Sequence, residues 1–434
     1  MSSFTNILNN KIIPVIMKFV SLKAVIALKD GLIYSLPLTL IGSVFLLLAN
    51  IPYKPVADFI SSRGWDEPMN QAYGATFGIM AIVCCIGIAY TYVKNEGYEP
   101  LSPGMVAFSI FVLTTNSYVK NADGSIISNV IPKEWTAGQG MVTAIIIGLL
   151  TGFVYTWFMK HDIKIKMPAG VPEGVMNAFS ALIPGAVLII FGTIIYILFK
   201  VIGNTTLVEF IYRVIQIPLQ GVTDSLGGVI VMGFMVPFLW WFGIHGSTII
   251  GGLMAPILQA NTLDNGAIVA AGKELTLANG AHIVTQQFLD QFMTVTGAGM
   301  TIGLVLAMVF IGKSTQSKEL GKLTLVPAIF NINEPVLFGT PIVMNPFMAI
   351  PFICMPMISG LILYFSIYTG LIPPFGGVLV PWTTPPIISG FLVGGWKTAL
   401  LQAAILALSF FVYLPFFKKV DKMNLENEKN IQAS

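Results

Sequence analysis

Apolar stretches about as long as a bilayer is thick recur along this 434-residue chain. A helix that crosses the hydrocarbon core needs about 20 mostly apolar residues. Charged residues make up only 10% of the chain, whereas soluble domains carry about 25%, so lipid must serve as its solvent. Helices satisfy their own backbone hydrogen bonds in lipid. The sequence therefore predicts an all-α polytopic membrane protein.

The stretches that are clear candidates for membrane-spanning helices are Leu32–Ile51, Gly74–Val93, Gly140–Met159, Ala178–Ile202, Leu226–Phe242, Phe292–Ile311, Phe347–Gly370 and Ala399–Phe417. Leu101–Thr115 is shorter. Thr248–Leu258 and Val380–Gly395 are interrupted by Pro or Gly, which favours half-spans or re-entrant pieces. We therefore expect about ten crossings.

Basic residues in short flanks mark the cytoplasmic side of a membrane protein. An amphipathic segment rich in Lys precedes the first span, and the C-terminal tail begins Lys418-Lys-Val-Asp-Lys422. We expect both termini in the cytoplasm, which requires an even number of crossings.

The chain changes character at the amphipathic segment Leu207–Gln220, where Glu209 and Arg213 are spaced for a helical ion pair. Beyond it Pro, Gly, Asn and isolated polar residues accumulate. We predict an N-terminal scaffold half at 1–205 and an amphipathic linker at 206–225. A C-terminal half at 226–417 would hold the site, followed by a cytoplasmic tail at 418–434.

Glu334 is the only formally charged side chain between Lys322 and Lys397. A carboxylate in such apolar surroundings faces a cavity or a partner rather than lipid. Prolines at 327, 335, 341 and 346 exclude one continuous helix. We predict that Glu334 lies at the tip of a re-entrant hairpin that lines a substrate cavity. The alternative is a carboxylate that only caps a half-helix.

Three further groups are candidates for ligand binding around this carboxylate. Asn331 and Asn333 offer donors and acceptors that suit a polyhydroxylated ligand. Trp382 lies on a proline-rich loop, where its ring suits stacking against a sugar; packing or an interfacial aromatic belt is the alternative. His282 lies in a polar stretch and is a candidate of undecided role.

His245 closes an apolar span in the run Trp240-Trp-Phe-Gly-Ile-His-Gly246. Its imidazole can donate and accept hydrogen bonds, and the glycine at 246 lets a ligand approach the backbone. Trp240 suits a stacking platform, again with an aromatic belt as the alternative. His245 with Glu334 would give paired acid–base capacity, whereas a lone histidine is compatible with a structural role.

Several function classes lack their signatures here. The chain has no Walker A glycine loop and no His/Asp/Glu cluster at metal-ligand spacing. The net charge of +3 is spread out, with no basic block suited to nucleic acid. We therefore expect no cofactor and no nucleic-acid partner.

Four motifs resemble those of the lactose/cellobiose/diacetylchitobiose branch of phosphoenolpyruvate-dependent phosphotransferase system enzyme IIC proteins. They are Phe330-Asn-Ile-Asn-Glu-Pro-Val-Leu-Phe-Gly-Thr-Pro-Ile-Val-Met-Asn-Pro346, Trp241-Phe-Gly-Ile-His-Gly246, Gly297-Ala-Gly-Met-Thr-Ile-Gly-Leu304 and Val380-Pro-Trp-Thr-x-Pro385. The resemblance covers essentially the whole chain.

The resemblance implies a homodimer of ten-helix subunits with two re-entrant hairpins in the bacterial cell membrane, surrounded by membrane lipid. The N-terminal half would make the dimer contact, and the C-terminal half would carry a β-linked disaccharide of the cellobiose, diacetylchitobiose or lactose type. A phosphocysteine on a separate enzyme IIB protein, charged in turn by enzyme IIA, would phosphorylate a sugar hydroxyl. Glu334 and His245 match the family's sugar-contacting residues, and the chain itself is expected to carry no phosphoryl group.

Two functions of other classes compete with this hypothesis. In a proton-coupled secondary sugar transporter, Glu334 would be the proton relay. A channel or purely structural membrane protein is disfavoured by the lone carboxylate among asparagines.

Overall fold

The computed structural model describes residues 18, 21–49, 54–120, 125–168, 170–243, 245–340, 342–343 and 345–433. It is 74% helical, which confirms the predicted all-α class. Among the described residues, the strands form one short hairpin of β1 (Tyr118–Lys120) and β2 (Ile126–Ser128), paired antiparallel.

The α-helices of the described part are numbered in chain order. They are α1 (Lys23–Ile33), α2 (Leu36–Ala49), α3 (Lys54–Ser62), α4 (Asp66–Thr76), α5 (Met80–Asn95), α6 (Leu101–Leu113), α7 (Met141–Lys160), α8 (Glu173–Ser180), α9 (Leu182–Gly203), α10 (Leu207–Ile211), α11 (Ile217–Thr223), α12 (Leu226–Trp241), α13 (Gly246–Ala270), α14 (Gln286–Phe288), α15 (Ile302–Ile311), α16 (Thr315–Ile329), α17 (Glu334–Gly339), α18 (Pro346–Tyr368) and α19 (Ile388–Ala433).

Five helical segments of the described part are long and apolar enough to cross a membrane, or six if Leu207–Thr223 and Leu226–Trp241 count together as one bent span. The five are Asp66–Asn95, Gly138–Lys160, Glu173–Gly203, Phe347–Tyr368 and Ile388–Asn430. The chain is therefore polytopic, and the count of about ten crossings stays a prediction. The predicted span Leu32–Ile51 extends beyond the described residues, and most of the N-terminal amphipathic segment lies outside them.

The helix α13 continues through Pro256, so Thr248–Leu258 contains no break in the helix, and its assignment as a half-span or re-entrant piece stays a prediction. A proline removes one backbone donor and displaces the carbonyl four residues earlier. Membrane helices tolerate this where neighbouring groups satisfy the displaced carbonyl. The second doubtful segment, Val380–Gly395, is non-helical up to Ile388 and interrupted again at Gly394 and Gly395, inside α19.

The amphipathic segment after α9 is helical, as predicted. It consists of α10, a π-helical turn at Tyr212–Gln216 and α11. Arg213 Nη2 lies 2.6 Å from Glu209 Oε1, so the ion pair expected from the spacing is confirmed.

The chain forms two compact units. The first unit combines Met1–Gly42 with Gln71–Leu219, and the second combines Ser43–Asn70 with Gln220–Ser434. Glu334, His245 and Trp382 all belong to the second unit.

Close helix contacts at glycines organise the first unit. A Cβ added at Gly31 of α1 would lie 2.6 Å from the Ile88 Cα of α5. Likewise, a Cβ at Gly152 of α7 would lie 2.6 Å from the Tyr92 Cβ of α5. Small residues let membrane helices pack backbone against backbone, which supplies the van der Waals contact that lipid cannot replace.

The second unit also uses close contacts, but its helices are broken. Gly303 of α15 faces the α19 backbone, where an added Cβ would lie 2.4 Å from the Ser409 carbonyl carbon. Between α14 and α15 the chain passes through a π-helical turn at Leu289–Met293 and a turn at 294–301. This turn and the breaks on either side of α17 surround the candidate site.

Candidate functional site

Glu334 is the first residue of α17, which follows α16 after a four-residue break at 330–333. Pro335 favours a helix start here, because its missing N–H would have no partner within the helix. The half-buried Glu334 carboxylate lies in the first turn, where the helix dipole favours a negative charge. The predicted break is thus confirmed, and this position fits both a cavity-lining and a capping carboxylate.

Asn331 lies in the break 330–333 that precedes Glu334, called the Glu334 loop below. Its side chain connects this loop to two other non-helical segments. Its φ of 64° places it in the left-handed region, which asparagine tolerates better than most residues. Its Oδ1 accepts a hydrogen bond from Thr296 N at 2.7 Å. Its Nδ2 donates to the carbonyls of Trp382 and Thr384. Both amide hydrogens of this predicted ligand-binding residue are therefore bonded to backbone.

Asn333 has a similar environment. It is 3% exposed, and its Nδ2 donates to the Ala298 carbonyl at 2.6 Å. Gly297 packs against it so closely that an added Cβ would lie 2.1 Å from Asn333 Cγ, and the φ of Gly297 is +86°. Only glycine fits there, which explains the glycine-rich run after residue 296.

Trp382 lies on a turn in which Thr384 N donates to the Pro381 carbonyl at 2.9 Å. Its side chain is 57% exposed. This exposure excludes a packed-core role and leaves the sugar-stacking and aromatic-belt interpretations. Asn331 donates a hydrogen bond to the backbone carbonyl of Trp382. The Asn331 side chain therefore connects the turn that carries the exposed indole ring to the Glu334 loop.

His245 lies between α12 and α13, and its ring packs on that of Trp240. The two ring centroids are 4.3 Å apart. Trp240 is 5% exposed, and its Nε1 donates to Ser247 Oγ at 3.4 Å, so this indole supports the histidine. Gly246 is required by packing, since an added Cβ would lie 2.0 Å from the Val236 carbonyl oxygen. The pairing of His245 with Glu334 stays a prediction.

His282 belongs to a different polar cluster. Its Nδ1 lies 3.0 Å from Asp224 Oδ2, and its Nε2 lies 3.4 Å from Asp264 Oδ2. Burial alone would lower the pKa of His282, but hydrogen bonds with the two carboxylates outweigh it and raise this pKa to about 9. Gln220 donates to Asp264 and Val284 N donates to Asp224. These contacts indicate a structural ion cluster, and ligand binding by His282 stays a prediction.

Asp290 is a carboxylate that sequence analysis did not select. It lies half-buried in the π-helical turn, and both of its oxygens accept hydrogen bonds from Gln286 Nε2 at 3.0 Å. It is the only Asp, Glu, Lys or Arg between Glu274 and Lys313. The test that found Glu334, a lone carboxylate in an apolar stretch, would have found it as well.

Three buried glutamines were also missed. Gln287, Gln291 and Gln402 are at most 1% exposed, and each bonds to the backbone of the segment 380–390 or of its neighbours. Their signal was the presence of long amide side chains in apolar stretches, since such groups require partners when buried. Sequence spacing does not identify those partners.

The structure thus joins Trp240 to His245, and Asn331 to the loops of Thr296 and Trp382. It provides an exposed indole and a half-buried carboxylate on two loops of one unit. Aromatic faces with a few fixed polar groups are typical of sites for small polar ligands with one apolar face.

Comparison with known proteins gives a consistent result. The family model described as phosphotransferase system EIIC matches residues 29–356. The chain is similar to the lichenan permease IIC component of Bacillus subtilis, with 36% identity over 100% of this chain and 97% of that one. It is also similar to the cellobiose-specific EIIC component of Geobacillus stearothermophilus, with 34% identity over 99% and 97% of the two chains.

A solved structure resembles the whole fold. It is the crystal structure of the transporter ChbC, the IIC component from the N,N'-diacetylchitobiose-specific phosphotransferase system. The TM-score is 0.92 at 34% sequence identity, covering 97% of this chain and 99% of that one.

Proposed function

Because the chain belongs to the phosphotransferase system EIIC family, we propose that it imports a β-linked disaccharide of the cellobiose, diacetylchitobiose or lactose type. Membership in this family implies a sugar substrate and partner EIIB and EIIA components. The substrate class is supported by relatives named for cellobiose and diacetylchitobiose, which are both β-linked disaccharides.

The observation that carries this proposal is the link between the Trp382 turn and the Glu334 loop through Asn331. A sugar ring that stacks on the exposed indole would place its hydroxyls over polar groups of the neighbouring loop. Two loops held by one buried amide present these groups at a fixed separation, as a binding site requires.

Glu334 acts as the general base in the proposed reaction. The oxygen of a sugar hydroxyl attacks the phosphorus of phosphocysteine on EIIB, and the hydroxyl proton passes to Glu334. The O–P bond forms, the P–S bond breaks, and the cysteine leaves as a thiolate. His245 orients the same hydroxyl or shares its proton, with its ring supported by Trp240.

The assembly around this site follows the same proposal. The N-terminal half acts as scaffold and dimer contact, and the C-terminal half carries the sugar. The apolar surface of α9 supports a lipid or subunit contact, since Ile190, Val201 and Ile202 are exposed by 60% or more. Both termini lie in the cytoplasm, which places the basic run at Lys418 on the side where EIIB binds.

The deciding experiment uses proteoliposomes that contain the purified chain. Radiolabelled cellobiose and diacetylchitobiose are offered outside, with phosphorylated EIIB inside. The proposal expects sugar phosphate inside only when EIIB is phosphorylated. Uphill accumulation of unmodified sugar driven by a pH gradient alone would instead establish the proton-coupled transporter.

A further inference from the structure

The segment that carries Trp382 has its backbone satisfied by side chains rather than by a neighbouring strand. Val380 N donates to Gln287 Oε1 at 2.9 Å, and the Val380 carbonyl accepts from Gln291 Nε2 at 3.0 Å. The two glutamines are four residues apart on one helical stretch. They supply the donor and the acceptor that an adjacent strand supplies in a sheet, so the backbone at Val380 is held from both sides.

Gln402 of α19 holds the far end of the same segment. Its Oε1 accepts from Ile387 N at 2.6 Å and from Gly390 N at 3.0 Å. Its Nε2 donates to the Gln291 carbonyl at 2.6 Å, which connects the two glutamines. Ile387 has a φ of +73°, a region that a β-branched residue occupies only under strain. Strained backbone of this kind collects at functional sites.

Asn331 connects this segment to the Glu334 loop. Its two amide hydrogens are donated to the Trp382 and Thr384 carbonyls, on either side of the turn. Its Oδ1 fixes the 294–301 turn through Thr296 N. One buried side chain, 5% exposed, therefore sets the separation between the Trp382 turn and the residues next to Glu334.

We propose that Asn331, Gln291 and Gln402 are positioning residues that hold Trp382 at a fixed distance from Glu334. A sugar stacked on the indole then presents its hydroxyl to the carboxylate without a search over loop conformations, which is how rigid placement raises a rate. The three amides act through the backbone and not by contact with the sugar. This inference rests on the proposed function.

The first test is Asn331→Gly. Glycine accepts the left-handed φ without added strain, so the variant removes the amide and its three hydrogen bonds alone. In sugar-free protein in nanodiscs, hydrogen exchange of peptides covering 379–387 is expected to be roughly tenfold to a hundredfold faster. Asn204→Gly is the matched control, because Asn204 is another left-handed asparagine, at the end of α9, and should leave this segment unchanged.

The second readout separates positioning from sugar contact. Asn331→Gly is expected to weaken cellobiose and diacetylchitobiose binding roughly tenfold and to slow phosphoryl transfer at saturating sugar. If binding falls while exchange of 379–387 stays at the wild-type rate, Asn331 contacts the sugar directly and the inference is overturned. Unchanged exchange together with unchanged binding overturns it as well.

Gln402→Glu covers the case in which Asn331→Gly does not fold. A carboxylate can still accept from Ile387 N and Gly390 N but cannot donate to the Gln291 carbonyl. The hydrogen-exchange rate of residues 379–384 is expected to rise, while the rate of residues 388–391 stays close to that of the wild type. Wild-type exchange rates in both regions would overturn the inference. A wild-type protein that binds neither disaccharide overturns the proposed function alone, because the exchange data still decide whether the amides hold the segment.

Discussion

Described non-helical backbone in the first unit lies in the turns, loops and β-hairpin between its helices, whereas in the second unit buried amides hold several non-helical segments around Glu334. Of the described Asn and Gln side chains that are buried, Gln216 alone lies in the first unit. The others lie in the second: Gln220, Gln259, Asn261, Asn265, Gln287, Gln291, Asn331, Asn333 and Gln402. Backbone that leaves the helix at membrane depth needs such partners.

Left-handed residues show the same contrast. In the first unit the non-glycine examples, Asn129, Asp162 and Asn204, lie in turns between elements. In the second unit the examples are Thr296, Met300, Asn331 and Ile387, which all lie in the segments around Glu334 and Trp382. Conformational strain is therefore concentrated where the proposed chemistry takes place.

This contrast teaches that substitutions in the two units should differ in kind. Packing in the first unit is spread over many van der Waals contacts, so a change there alters stability. Around Glu334 in the second unit, single hydrogen bonds hold the proposed functional groups, so we expect a change there to alter binding and phosphoryl transfer. Of the four predictions below, the first two test this division, and the last two concern polar clusters of the second unit away from Glu334, where we expect changes in stability.

The largest effect is expected for Glu334→Gln. Removal of the base should slow phosphoryl transfer from EIIB by about a hundredfold or more, while sugar binding stays within roughly tenfold of wild type, since glutamine keeps the size and an acceptor oxygen. Single-turnover transfer assays and binding isotherms measure the two effects. Glu209→Gln in the first unit is the control and should transfer at the wild-type rate. Wild-type transfer by Glu334→Gln would remove this carboxylate from the reaction.

A packing change in the first unit should lower stability without specific loss of chemistry. In Gly31→Ala the new methyl would meet the Ile88 backbone at 2.6 Å, and overpacking of this kind costs about 3 kcal/mol. Gly174→Ala is the matched control, because nothing lies within 4 Å of its added Cβ. Thermal unfolding in detergent measures both variants. A melting temperature of Gly31→Ala equal to that of its control would contradict close packing between α1 and α5.

The His282 cluster should make stability depend on pH. The pKa of His282 is raised to about 9 from an unfolded value near 6.5. Its stabilisation is therefore fully present below about pH 6.5 and is lost as the pH rises through about 9. We expect a loss of about 2 kcal/mol over this range, discounted for partial exposure. The melting temperature of His282→Gln should change less between pH 6 and 9.5 than that of the wild type. If the two melting temperatures change equally with pH, the ion cluster is refuted.

The smallest effect is expected at the start of α16. Asp421 accepts hydrogen bonds from Lys313 N, Ser314 N and Ser314 Oγ, so it holds Ser314, the N-cap residue of the helix that leads to Glu334. Asp421→Asn keeps an acceptor but loses the charge, which should cost about 1 kcal/mol. Lys422→Gln, at an exposed neighbour, is the control for charge alone. A melting temperature that falls equally in both variants would exclude a specific contribution from the hydrogen bonds between Asp421 and Ser314.

The sequence predicted those features that depend on local composition. Scarce charge predicted an all-α membrane protein, and prolines predicted the break before Glu334; the lone carboxylate indicated a candidate site, which stays a prediction. Asn331 was found, but its partners were not, because Thr296 and Trp382 are 35 and 51 residues away. Hydrogen bonds between such distant segments leave no periodic pattern in the sequence. Gln402 was not selected from the sequence for the same reason, because its partner Gln291 is 111 residues away.

Only backbone atoms of residues 380–387 bind the glutamines and Asn331. These hydrogen bonds therefore do not involve the side chains of the segment itself. Residues at the turn, including Trp382, can be exchanged for those of a relative with another substrate while every hydrogen bond that holds the segment is kept. Under the proposed function, exposed side chains at this turn can diverge one residue at a time without loss of these hydrogen bonds.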